Sequence, residues 1–277
     1  MMGSQALRLG WRVALAVLLM QLWLLLTATS FLLPPALGAL WAVAALGMFC
    51  WRFAGCGGAS ARRRRQRARA RLRPLGRETA RIALAVPIFL IAQGCFTLLY
   101  VALVGAPPAS GGALSSAASQ RNGWMVIVAN VVLAGPFIEE VCVRGWIQGP
   151  LERWLKPTWG ILVTAVIFAL AHFDLWGAPG RFLCGVVLGV AVRVTRSIWA
   201  GVVLHVALNT AAMTLILSSR RWDAAALASG AGGRMGAAVG LALAVALLAS
   251  IVSRRRSRFT PPASSAIDAE SPLRLQG

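Results

Sequence analysis

A polytopic transmembrane helical bundle is the fold class this sequence predicts, and three observations predict it. Hydrophobic residues make up 58% of the 277-residue chain, and the mean hydropathy is +0.72. Apolar runs near the roughly 20 residues needed to cross a bilayer recur along the sequence. Only eight acidic residues stand against 28 Lys and Arg, and the arginines cluster beside the apolar runs, where basic residues orient spans and meet anionic lipid headgroups. A formal charge of +20 would suggest nucleic acid in a water-soluble chain. Here the bilayer accounts for it, and nucleic acid is set aside as a partner.

Trp11 to Leu33 is the first expected span, flanked at its start by Arg8 and Arg12 and stopped by Pro34-Pro35. Its apolar core is longer than the h-region of a signal peptide, which favours an uncleaved span. Ala36 to Phe53 makes a second. Gly55 to Arg81 is a dense basic segment with almost no acid, best read as topogenic. Ile82 to Val104 spans again, and Gly105 to Asn122 is a Gly/Ser/Ala/Pro linker expected to be flexible and solvent-exposed. Gly123 to Trp146 follows, with Gly135-Pro136 as an expected kink. Gly149-Pro150 then turns the chain into an interfacial Leu151 to Lys156, where Trp154 and Lys156 suit a membrane surface.

Further apolar helices are expected at Thr158 to Phe173, Arg181 to Val192, Ser197 to Leu217 and Arg234 to Val252, making about eight spans, one of them short. Starting from an internal N-terminus, the outer segments hold Arg121, Arg181, Arg220, Arg221 and Arg234, five of the 28 basic residues, so the other 23 lie inside. Both termini are therefore expected in the cytoplasm, in an architecture suggestive of a bacterial inner membrane. The tail from Ser253 onward is expected to be disordered after its basic anchor. Cys50, Cys56, Cys95, Cys142 and Cys184 show no paired or metal-ligand spacing and read as small apolar packing residues.

Against this background Glu139, Glu140 and Arg144 stand out, because an ionisable side chain at bilayer depth costs at least about 2.5 kcal/mol. On a helix Glu140 and Arg144 share a face as i and i+4, whereas Glu139 projects about 100° away. Glu140 thus has a local partner and Glu139 does not. The two histidines of the chain, His172 and His205, fall in two other expected spans. Phe168 precedes His172 by one turn and Asn209 follows His205 by one turn. Counting rise per residue, Thr158 to His172 is about 21 Å, Ser197 to Asn209 about 18 Å and Gly149 back to Glu139 about 15 Å, so all four polar groups can converge near mid-membrane.

These residues resemble the CAAX-protease and bacteriocin-processing (CPBP, or Abi) family of intramembrane endopeptidases. Its motifs stand here as Glu139-Glu140-Val141-Cys142-Val143-Arg144, Phe168-Ala169-Leu170-Ala171-His172 and His205-Val206-Ala207-Leu208-Asn209, in order and on separate helices. The resemblance covers about Asn122 to Leu217. It divides the chain into N-terminal spans with the Arg-rich loop and linker (1–121), a CAAX-protease-like core (122–217) and a last span with a basic tail (218–277).

The resemblance implies peptide-bond hydrolysis in a membrane-associated protein or peptide, lipidated in the eukaryotic members. Glu139, assisted by His172, would activate water, and His205 and Asn209 would donate to the oxyanion. Glu140, Arg144 and Phe168 would be structural or substrate-contacting. No cofactor is expected in that glutamic mechanism. Glu139, His172 and His205 also form a conceivable zinc set, the alternative. A non-catalytic immunity or scaffolding role is a third reading. Substrate and oligomeric state are not legible.

Overall fold

The computed structural model describes residues 2–30, 37, 40, 43–44, 75–105, 123–217 and 230–256. Among them every regular element is helical: α1 (Met2–Ser30), a 3-10 turn (Gly76–Glu78) leading into α2 (Thr79–Val104), α3 (Gly123–Leu155), α4 (Pro157–Leu170), α5 (Ala178–Thr195), α6 (Ile198–Leu217) and α7 (Ala231–Arg256). The expected span at Ala36 to Phe53 falls almost wholly outside the described residues, as do most of the Arg-rich segment, the 106–122 linker and the tail from 257. Within them α2, α3, α5, α6 and α7 are long and apolar enough to cross a membrane. The apolar stretch of α1 (Leu9–Trp23) and α4 are shorter. The protein is a multi-pass helical membrane protein, with five full-length candidate spans among the described residues; of the eight expected, Ala36 to Phe53 lies almost wholly outside those residues.

Helix α3 is the centre of the bundle. Of its most apolar window 72% is buried inside the protein, against 11% for α7, whose Val239, Leu243 and Leu247 are exposed as lipid-facing side chains are. The sequence suggested a span ending at Trp146, but the helix runs unbroken to Leu155 because its two Gly-Pro pairs widen it instead of stopping it. Segments Val128–Ala134 and Val141–Gln148 are π-helical, and each is followed at once by Gly135-Pro136 or Gly149-Pro150 opening an α-helical segment. Proline lacks an N–H and crowds the carbonyl four residues back, so an i→i−5 turn before it relieves both problems. Accordingly Gly135 N–H donates to Asn130 O, so close that a Cβ on Gly135 would stand 2.8 Å from that oxygen.

Lys156, with a positive φ of 73°, reverses the chain into α4, and Gly160 lets α4 lie on the backbone of Glu152. Helix α4 packs on α5, α5 on α6, α2 on α7, and α1 along Val141–Gln148 of α3. Helices α3 and α5 are held in register by three rungs, each joining residues 41 apart. Arg144 Nη2 donates to Gly185 O at 3.1 Å, Gln148 Nε2 to Gly189 O at 2.9 Å, and Arg193 Nη1 to Glu152 Oε2 at 2.9 Å. The glycines expose their carbonyls to these donors and keep the helices close; a Cβ on Gly189 would stand 3.2 Å from Gln148 Oε1 on α3, and one on Gly185 would press on Ala165 of α4 at 3.0 Å.

Candidate active site

The α-helical stretch between the two wide segments, Gly135–Glu140, carries both glutamates inward: Glu139 is 9% exposed and Glu140 not at all. The pair expected between Glu140 and Arg144 is present, at 3.1 Å with both side chains fully buried. Glu140 is more than the local partner of Arg144, however. Its Oε1 also lies 3.3 Å from His205 Nδ1 on α6. Its Oε2 faces Gly201, one turn earlier on α6, where a Cβ would collide with the carboxylate. Glu140 therefore fits between α3 and α6 only because position 201 has no side chain.

His172 is not in a span as expected. Helix α4 ends at Leu170, and His172 lies in the turn that follows. The ring itself helps to end the helix, since Nδ1 meets the carbonyl of Phe168, four residues back, at 2.9 Å. A carbonyl can only accept, so Nδ1 carries a proton there and the neutral ring turns the lone pair of Nε2 away from the helix. That Nε2 faces Glu139 Oε2 at 3.8 Å, and His205 Nε2 faces the same oxygen at 3.8 Å. The carboxylate stranded in the sequence thus finds both histidines, while its Oε2 makes no hydrogen bond within the protein.

Phe168 lies between these groups. Its ring meets His172 edge-on at 5.1 Å and His205 at 5.7 Å, with the Arg144 guanidinium 4.7 Å from its centroid as a cation–π partner. Asn209 is placed differently from the other three polar residues. Its Nδ2 donates to Val131 O in the first wide segment of α3 at 2.8 Å, tying α6 to that segment. Glu139, His172 and His205 are brought together; Asn209 flanks them, with its second amide N–H uncommitted by that bond.

Among the described residues, no group of three or more His, Cys, Asp or Glu side chains is arranged to hold a metal ion. For the conceivable zinc set, ligands about 2.0–2.1 Å from a tetrahedral ion stand about 3.3 Å apart. Glu139 Oε2 stands 3.8 Å from each imidazole nitrogen. As placed, the set does not fit zinc, and no step below runs through a metal.

Beyond the catalytic candidates, Gly201, Gln148, Glu152 and Arg193 position the site and were not singled out in the sequence. The signal was present as a shared four-residue spacing, 144-148-152 on α3 and 185-189-193 on α5. Outside the membrane-spanning segments, Asp174 in the turn after His172 accepts from Gly177 N–H at 3.1 Å and pairs with Arg181 at 2.8 Å. The backbone amide first, and the guanidinium second, hold its carboxyl below the usual carboxylate range.

No curated protein and no solved structure matches the chain significantly. Residues 121–211 match the family model described as Rce1-like, type II CAAX prenyl endopeptidase. That stretch takes in α3, α4, α5 and most of α6, and with them all three motifs. Over residues 121–211, about a third of its length, the chain is similar to the Rce1-like family of type II CAAX prenyl endopeptidases.

Proposed function

We propose that the protein is an intramembrane endopeptidase that hydrolyses a peptide bond with water activated by Glu139. The observation that carries this reading is the convergence of Glu139 Oε2 and the two imidazole Nε2 atoms in a largely buried site. Glu139 Oε2 and the His172 Nε2 lone pair are both acceptors and do not satisfy one another; a water placed between them donates one hydrogen to each and presents its oxygen lone pair to a carbonyl. Glu139 takes the proton as the water attacks, and His172, held at Nδ1 by Phe168 O, steadies the water from its other side.

His205 and Asn209 are the donors to the developing oxyanion. His205 donates from Nε2 only when both ring nitrogens carry protons, and Glu140 at Nδ1 is the countercharge for that form. Arg144 completes the chain of contacts, since it fixes the Glu140 oxygen that orients His205.

The test is cleavage of a peptide library by the purified protein with and without prior chelation. Wild-type protein should cleave in both conditions, and Glu139→Gln should lower turnover by about 10²–10⁴-fold, the usual worth of a general base. Stoichiometric zinc with chelator-sensitive cleavage would replace the glutamic mechanism with the zinc one. Unchanged cleavage in Glu139→Gln, His172→Ala and His205→Ala would make the pocket a binding or scaffolding site.

A further inference from the structure

We infer that α1, which lies outside the family-matched segment, is part of the catalytic apparatus, and that Gln21 is a positioning residue for His172. This rests on the reading of His172 as the partner of Glu139. Helix α4 stops at the membrane-buried site, so its last carbonyls need partners that water would supply elsewhere. Ile167 O takes Ala171 N–H at 3.0 Å, Phe168 O takes the His172 ring, and Leu170 O takes Phe173 N–H at 3.1 Å. The next carbonyl, Ala171 O, belongs to the residue bonded to His172, and its donor is Gln21 Nε2, 150 residues away on α1.

Helix α1 is seated for this role. Ala16, Met20 and Trp23 are buried in the same cluster as Ile138, Cys142, Phe168 and Ala171. Trp23 Nε1 lies beside Gly135, at the start of the short segment that carries Glu139. Helix α1 therefore touches both the backbone supporting the base, through Trp23, and the backbone supporting its histidine, through Gln21.

The turn it holds is under strain. Phe173 adopts a left-handed φ of 50° although it is not glycine, and its side chain is 79% exposed, so packing of the ring does not fix it. Such a backbone persists only where several contacts over-determine it. Here these are Gln21 at Ala171, the Asp174–Arg181 pair, and Trp176 set edge-on to Tyr100 of α2 at 5.2 Å. Gln93 of α2 closes the far end by donating to Gly180 O at 3.3 Å. Both amides come from helices preceding residue 121.

The test compares the full-length wild-type protein in lipid nanodiscs with Gln21→Met, which keeps length without a donor, and Gln21→Glu, which keeps shape without the amide N–H. The expected result is a fall in kcat of up to about 10²-fold with KM and melting temperature near wild type, because misplacing a catalytic group by an ångström costs about that much. Amide hydrogen exchange across 171–175 should quicken in both variants. Wild-type kcat in both, or a kcat loss matched by an equal loss of thermal stability, would overturn the inference. If the wild-type chain cleaves nothing, the protease reading has failed; the exchange comparison then decides the contact alone, with unchanged protection overturning it.

Discussion

The middle of α3 and its C-terminal part treat buried polarity in opposite ways. From Arg144 to Glu152 the side chains facing α5 make direct contacts of 2.9 to 3.1 Å across the interface. One turn earlier, Glu139 stands 3.8 Å from two imidazoles and its Oε2 bonds to nothing in the protein. Closed polar contacts in a membrane interior make a scaffold, because their donors have exchanged water for protein carbonyls and carboxylates, even though Gln148 Oε1 and Glu140 Oε2 accept no hydrogen bond. Open ones, held by that scaffold at a fixed spacing, are available to a reactant. Arg144 belongs to both regions, since it donates to Gly185 and pairs with Glu140, which in turn touches His205.

The sharpest way to break this contrast is to remove one member from each side. Arg144→Ala leaves Glu140 buried without its guanidinium and should cost about 3–5 kcal/mol of stability, read as a large drop in melting temperature. Glu139→Gln should leave the melting temperature close to wild type while abolishing most turnover. Equal stability of the two variants would mean that the Glu140–Arg144 pair does not hold the scaffold.

A subtler break changes no polar group. Gly201→Ala puts a methyl group where Glu140 Oε2 now lies, and should displace the carboxylate from His205 Nδ1. Turnover should fall by about 10²-fold, as a small misplacement of a catalytic group does. Full activity in this variant would show that Glu140 does not orient His205.

The smallest effects grade the rungs themselves. Gln148→Met removes a buried donor from Gly189 O and should cost about 1–3 kcal/mol. Arg193→Ala opens a pair whose arginine is 44% exposed, and such surface pairs are worth about 0–1 kcal/mol. Unfolding measurements that rank Arg193→Ala above Gln148→Met would place the strength of the interface at its rim and not in its interior.

Much of the site was legible because it depends on spacing within single helices. Glu140 and Arg144 pair across the boundary between an α and a π segment, since four residues make roughly one turn in either winding. Phe168 meets His172 for the same reason, even though the helix has ended between them. The wide segments themselves were not read, although each precedes a Gly-Pro pair, because a proline in an apolar run suggests a kink or a stop before it suggests a wider turn. Gln21 was beyond reach: nothing local in an apolar run tells a lipid-facing amide from one that holds a carbonyl 150 residues away. The place of α4's end was misread for a related reason, since apolar composition continues past Leu170 while the backbone turns aside for the His172 ring.

The brevity of α4 sets local conditions in the bilayer. Its 14 residues rise about 21 Å, roughly 9 Å less than a typical hydrocarbon core. A helix of that length entering at one face stops short of the other, and the Asp174–Arg181 ion pair in the turn after it would then meet hydrocarbon that does not tolerate such groups at full thickness. A thinned, dimpled membrane over this one spot is the cheaper arrangement. Such a dimple lowers the headgroup region toward the carboxylate and shortens the path by which water, the second reactant of any hydrolysis, reaches it.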